Sequence, residues 1–548
     1  MRKPERRRLA FTLAAGLFFS CMGSWGYALE KKGSIDFLGG LPVILLLTPA
    51  AAALISLLWR LMEKADRAEK AESGWLARHS RVIPVILLAC WLPAFLADYP
   101  GGFRYDATME LAQKTEGIGY RGDYPLLHSA IVTFLLPLMH SWTGSWNTGI
   151  TVYVVIQMGL MAAMYTQILR TMIRRGVHRA VVWYGLGYCA LFPVIQILVV
   201  QELRDVMFAA LLTYLVYCLW LLCTEKERIL GSRWKPAACA FVLSLTLLAR
   251  NNNTGIVFLG LVIAVNAAIW LKNRRQYPRG AAIWALSGIG SFLLTGWILT
   301  LICQPAAEKP TAAASMSLLS QSLTRAYVLE GENWPEEDRE TIAEYMDLEG
   351  LRYVPGYGDG TKNRIRVNAF RYAAFCAKIG LRYPGIFLDA MLAQTKNMWY
   401  PPGVLDDYKQ YFTQPGDPYW EYEKNYFAIL PENEAPSEHC SLAPGILDFY
   451  TGIGLRISFE RIPVISWMFS IGAQWWLTVF LFLYLWYRKK TGLLLSTGAV
   501  LLYMIGNAFV PIVLMRYFAG VFLCHPMLIA FLLQPGRCET IPTEGKLS

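Results

Sequence analysis

Apolar positions in this chain collect into long unbroken runs and do not alternate along short strands. Each run lasts roughly 20 residues, the length a helix rising 1.5 Å per residue needs to cross about 30 Å of hydrocarbon. The runs fall near 9–29, 37–59, 82–97, 149–169, 180–200, 206–223, 236–250, 254–271, 282–303, 463–487, 491–511 and 514–534. They predict an all-α integral membrane protein with about twelve transmembrane helices, the third and seventh short. Between 304 and 462 the pattern turns polar and aromatic, which divides the chain into three regions. An N-terminal transmembrane block covers 1–303 and carries an outer loop at 98–148, an extracytoplasmic domain covers 304–462, and a C-terminal transmembrane block covers 463–548.

The outer domain reads as mainly helical. Asn333, then Pro335, Glu336, Glu337 and Asp338, forms a helix start with a capping residue, proline and acids in the first turn. The segment RIRVNAFRYAAFCAKIG predicts a helix ending at Gly380, and Pro384 opens another. The stretch 399–445, rich in Pro, Gly, Tyr and Asp, predicts ordered loops. No internal repeat or inverted symmetry is visible.

Composition removes the soluble alternative. The chain is 55% hydrophobic and 17% charged, with mean hydropathy +0.34, too little charge for a surface that meets water. Its 19 Trp suit the headgroup level of a bilayer. Basic residues cluster between alternate runs: Arg6, Arg7 and Arg8; Arg60 and Lys64; Arg170, Arg174 and Arg175; Lys226 and Arg228; Arg274 and Arg275; Arg488, Lys489 and Lys490. The positive-inside bias puts these ends and both termini in the cytoplasm, as suits a plasma membrane. The net charge of +11 is thus a topological asymmetry and no footprint of nucleic acid. On this scheme residues 125–140 must lie in the outer interface, because a crossing there would invert every later basic loop. The first run resembles a signal peptide in outline but reads better as a retained anchor. Most cysteines fall in the runs; Cys376 and Cys440 lie outside them and could pair.

Charged residues held at a membrane are costly, so they are the functional candidates. Four places on the outer side hold them. The loop after the third run carries Asp98, Asp106, Glu110, Asp123 and His128, where a partly desolvated carboxylate makes a better proton acceptor. The turn Gln201-Glu202-Leu203-Arg204-Asp205 packs three charges between two runs, either paired among themselves or facing the same cavity. Arg250, before Asn251, Asn252 and Asn253, either snorkels or holds a phosphate. Met515-Arg516-Tyr517 sets a positive charge on the side that disfavours it, which implies an anionic partner.

An acidic first outer loop, a following helix with proline and histidine, and a late outer domain resemble the GT-C superfamily of membrane glycosyltransferases that use polyprenyl-phosphate-linked sugars. The resemblance spans nearly the whole chain in topology. It implies Asp106 in FRYDATMELAQ as the base or metal-binding acid, with Asp98 second. The family's Asp-His-Pro-Pro-Leu-like segment appears as Asp123 through His128, with the histidine displaced. The late Arg-Tyr element appears as Arg516 and Tyr517. By this resemblance the donor is a polyprenyl-phosphate-linked sugar and the acceptor a glycan, lipid or protein outside the cytoplasm. Transfer inverts the anomeric centre, and Arg516, Arg250 and Arg204 neutralise the lipid phosphate. A divalent cation, Mg or Mn, on Asp106, Glu202 or Asp205 is allowed but not required. Gln321 and Arg325 are further candidates in the outer domain. The competing readings are a lipid-linked glycan polymerase or ligase, a secondary transporter with helix breaks at mid-membrane depth, and a scaffold without catalysis.

Overall fold

A computed structural model describes residues 3–65, 74–104, 106–121, 124–250, 267, 270–271, 273–304, 316–356, 358, 364–402, 436–455, 462 and 465–533. Asp123, the asparagines at 251–253, most of the predicted span 254–271 and most of the loop stretch 399–445 lie outside the described residues.

Among the described residues the fold is 79% helical with almost no strand. The first block contains α1 (Lys3–Lys32), α2 (Leu41–Ala65), α3 (Trp75–Arg78), α4 (Ile83–Ala97), α5 (Asp106–Thr115) and α6 (Leu126–Thr143). It continues with α7 (Trp146–Arg174), α8 (Arg179–Leu191), α9 (Pro193–Val199), α10 (Arg204–Thr224), α11 (Lys226–Leu230), α12 (Lys235–Leu248) and α13 (Pro278–Cys303). The outer region holds α14 (Ser317–Glu330), α15 (Glu336–Tyr345), α16 (Ala369–Arg382), α17 (Pro384–Trp399) and α18 (Pro444–Leu455). The last block has α19 (Ile465–Phe469), α20 (Ile471–Tyr487), α21 (Thr491–Gly506) and α22 (Ala519–Leu532).

Among the described residues nine helices are long and apolar enough to cross a membrane, or ten if α8 and α9, bent by 53° where they meet, count as one. This is a membrane-embedded helical protein; of the twelve spans expected, the one at 254–271 lies mostly outside the described residues. All but one of the nine coincide with predicted runs. The exception is α6, the stretch assigned to the interface, whose length and apolar character suffice for a crossing. The run at 463–487 is broken at Ser470, whose hydroxyl accepts from the Ala473 N–H and donates to the Pro401 carbonyl at 2.8 Å. That break leaves α20 short, as α12 also is.

Packing sorts the helices by depth. In the span ending with α22, 89% of residues are buried, against 17% in α2 and α13. α22 is therefore the central post, packed on α10, α8, α20 and α21, and α13 lies at the periphery with Leu286, Leu293 and Trp297 exposed. Mid-post, His525 Nδ1 donates to Gln474 at 2.7 Å while its Nε2 accepts from the Tyr184 hydroxyl at 2.7 Å, so a buried imidazole joins three helices.

The outer domain has its own apolar core, with Leu323, Trp334, Ile342, Tyr372, Phe375, Ile379 and Phe387 at its centre. α16 starts at Asn368, whose side chain accepts from the Arg371 N–H, and runs two residues past Gly380. The helix expected to be capped by Asn333 begins instead after Pro335, because Asn333 closes a 3-10 turn and donates to Glu330 at 3.0 Å. Asp338 in its first turn holds Lys378 at 2.6 Å and Arg382 at 2.7 Å, tying α15 to α16. Cys376 is buried in this core and Cys440 exposed, and both are free thiols.

Ion pairs join loops that the charge bias assigns to one side. Glu63 binds Arg488 at 3.0 Å and Arg8 at 3.5 Å; Glu225 binds Arg228 at 2.6 Å, Arg174 at 2.8 Å and Arg175 at 3.4 Å.

Candidate functional site

The two candidate loops meet through a minimal parallel ladder. β1 (Gly102–Phe103) pairs with β2 (Gln201–Glu202), with Gly102 opposite Gln201 and Phe103 opposite Glu202. Gly101 makes the approach: its φ is +124°, and a Cβ there would lie 2.5 Å from Val154 and 3.0 Å from the Val200 carbonyl. Gln157 of α7 fixes the other strand by donating to the carbonyls of Val199 at 3.1 Å and Gln201 at 2.9 Å.

That register sets the charges. Asp106 opens α5, so Glu110 one turn later shares its face. Leu203 is extended and buried, so Glu202 and Arg204 project together on the side opposite to it. Helix face and strand face then oppose each other, Asp106 to Arg204 directly and Glu110 to Glu202 through His128. Asp106 Oδ2 receives Arg204 Nη2 at 3.0 Å and Arg516 Nη1 at 3.0 Å, two guanidinium groups on one oxygen. Arg516 comes from the 3-10 turn Met515–Phe518, and its Nε also lies 3.6 Å from Asp205. Asp205 receives Arg250 at 2.6 Å, and Arg250 donates to Asn507 at 3.3 Å. Aromatic faces back the cations: Tyr124 under Arg204 at 4.8 Å, Phe208 under Arg250 at 5.1 Å, Tyr517 under Arg516 at 4.9 Å. The Tyr517 hydroxyl accepts from Arg516 at 3.1 Å, and its carbonyl accepts from Asn507 at 2.5 Å.

The cluster is closed below and open above. Asp205, Arg250 and Arg516 side chains are 4, 6 and 7% exposed, whereas those of Asp106 and Arg204 are 21 and 20% exposed. Burial pushes the Asp106 carboxyl up, but Arg204 and then Arg516 outweigh it and hold the group below the usual carboxylate value.

Beside it sits a fully buried second group. His128 Nδ1 donates to Glu110 at 2.8 Å; its Nε2 lies 3.1 Å from the Tyr153 hydroxyl and 3.3 Å from Glu202. Ser129 also donates to Glu110, at 2.9 Å. Burial, with Glu110 adding to it against the pull of His128, raises the Glu202 carboxyl to about 8.

Other candidates fall elsewhere. Asp98 follows α4 and is wholly buried between Arg104 at 3.3 Å and His439 at 3.3 Å. There it anchors the segment 437–442, whose backbone bonds to the Tyr99 and Leu96 carbonyls. Arg325 pairs with Asp389 and donates to Tyr353 at 3.1 Å, while Asp389 accepts from the Ile35 N–H at 2.9 Å. This ties the outer domain to the α1–α2 turn; Gln321, one helical turn before Arg325, is buried. A cavity of about 420 Å³ lined by Trp75, Trp183, Ile173 and Arg179 lies at the far end of α7, roughly 30 Å along that helix from Tyr153.

Sequence reading missed Asn507, His439, Tyr153 and Arg104 as partners. Asn507 carried a signal, an amide inside the apolar run LLYMIGNAFV. The donor set does not fit a divalent cation. Among the described residues no three His, Cys, Asp or Glu side chains group as a metal requires, and Asp106 and Asp205 are each turned onto guanidinium groups.

No family model, curated protein or solved structure matches this chain.

Proposed function

We propose that this chain is a membrane glycosyltransferase of GT-C type, which moves a sugar from a polyprenyl-phosphate-linked donor to an acceptor outside the cytoplasm. The observation that carries the reading is the convergence of Asp106, Arg204, Asp205, Arg250 and Arg516 at one partly open edge among apolar helices. Such an edge matches what the chemistry needs: a cationic seat for a phosphate at headgroup level, and a carboxylate within reach of it.

The acceptor hydroxyl attacks the anomeric carbon as the bond from that carbon to the phosphate oxygen breaks. The acceptor proton goes to Asp106, and the electron pair leaves with the polyprenyl phosphate, whose charge Arg516 and Arg204 stabilise. Attack opposite the leaving group inverts the centre. Arg250, held by Asp205 and Asn507, fixes the floor of the seat.

One observation favours the transporter. The bend between α8 and α9 is a helix break of the sort such proteins use. Its polar group is already engaged: Gln196 donates to the Cys90 and Ala190 carbonyls and accepts from Tyr450 at 2.8 Å. The transferase reading is therefore preferred.

The test is turnover of a panel of polyprenyl-phosphate sugars by protein in lipid vesicles. Acceptor-dependent release of polyprenyl phosphate is expected. Folded protein that releases none, yet moves a solute across the vesicle, would replace the reading with transport.

A further inference from the structure

The same cluster has a second consequence. Three guanidinium groups face two carboxylates, and both Arg204 and Arg516 are engaged by one oxygen of Asp106. The donor's phosphate, a diester, presents two non-bridging oxygens where Asp106 presents one, and oxygens spread around a phosphorus suit two planar donors better than a shared single atom. The exposed edge is at Asp106 and Arg204, so an anion reaching that edge meets the Asp106–Arg204 pair.

We infer that Asp106 is an internal occupant of the arginine seat, which a phosphate-bearing donor must displace in order to bind, and that the displaced carboxylate is the one that accepts the acceptor's proton. The inference rests on the transferase reading. It gives the reaction an order, with donor before proton transfer, and it keeps the base idle while the seat holds only Asp106.

The electrostatics agree. Burial raises the Asp106 carboxyl, and the two arginines, ahead of His128, hold it low. When they turn to a phosphate, burial remains and its hold on the proton rises. The neighbouring group keeps the displaced side chain nearby, because His128 holds Glu110 of the same helix against Glu202 of β2. α5 thus stays docked while its first residue changes partner.

Phosphate chemistry enters either as a lipid headgroup or as a free anion. The experiment measures binding of farnesyl phosphate and, separately, of inorganic phosphate to the full chain in nanodiscs, for wild type and Asp106→Asn. Losing an internal competitor that makes two charge-assisted bonds should tighten binding by at least about tenfold. Tightening for farnesyl phosphate alone supports a lipid-borne ligand, and tightening for both supports the displacement with a free anion. Unchanged or weaker binding overturns it. Asp106→Ser, which also removes the charge, serves if the Asn variant does not fold. Arg516→Gln should weaken binding in either background. Tightening without turnover of any donor would leave displacement standing and sink the transferase; turnover with unchanged affinity would sink displacement alone.

Discussion

Two sets of ion pairs cap opposite ends of the helix bundle, and they differ in solvent more than in chemistry. At one end Glu225 gathers Arg174, Arg175 and Arg228, and Arg174 and Arg228 side chains are 45 and 52% exposed. At the other, Asp205 and Asp106 gather Arg250, Arg516 and Arg204, none more than 20% exposed. Water screens Arg174 and Arg228, so their pairs stabilise little, although Arg175 and Glu225 themselves are 18 and 12% exposed. The second set has no such screen. Charges taken out of water at a membrane are costly to bury, and a site that keeps them assembled with one edge open is arranged for a charged ligand. On the proposed transferase reading, the buried cluster is the working end.

The difference can be broken one pair at a time. Arg250→Ala removes the 2.6 Å partner of buried Asp205, leaving Arg516 at 3.6 Å, and should destabilise the fold by up to about 3–5 kcal/mol, read from thermal or denaturant unfolding in detergent. Glu202 gives a pH signature. Its folded carboxyl sits near 8 against an ordinary 4.5, so its stabilising share is whole below 4.5 and is lost as pH rises through 8. The wild-type melting temperature should fall across that window, and Glu202→Gln should flatten the fall; parallel curves for both proteins would refute the assignment. Asp106 runs the other way, its share fading only in acid as pH drops below the usual carboxylate range. The smallest effect belongs to the exposed end, where Arg174→Ala should cost less than about 1 kcal/mol. A loss as large as that of Arg250→Ala would erase the contrast.

Among the described residues, eight of the nine helices able to cross a membrane were legible as apolar runs, because lipid demands internally bonded backbone whatever the packing. The charges at outer helix ends were legible too, since Asp106, Glu202, Arg204, Asp205, Arg250 and Arg516 stand out against apolar neighbours. Their partners were not. The pairing of Asp106 with Arg204 depends on a two-residue ladder between loops a hundred residues apart, and nothing in either loop specifies that register. Asp98 shows the same limit. From sequence it was a second candidate base, yet a segment late in the outer domain brings His439 onto it. α6 shows a different one: its apolar length is compatible with a crossing, while the charge bias required a surface helix.

The most direct measurement compares the two ends in one assay. Turnover of polyprenyl-phosphate sugars in vesicles would be followed for wild type, Asp106→Asn and Glu225→Gln, each checked for folding. The account predicts a loss of about 10²–10⁴ for Asp106→Asn and near wild-type rates for Glu225→Gln. Equal losses in both, or full activity in Asp106→Asn, would contradict it.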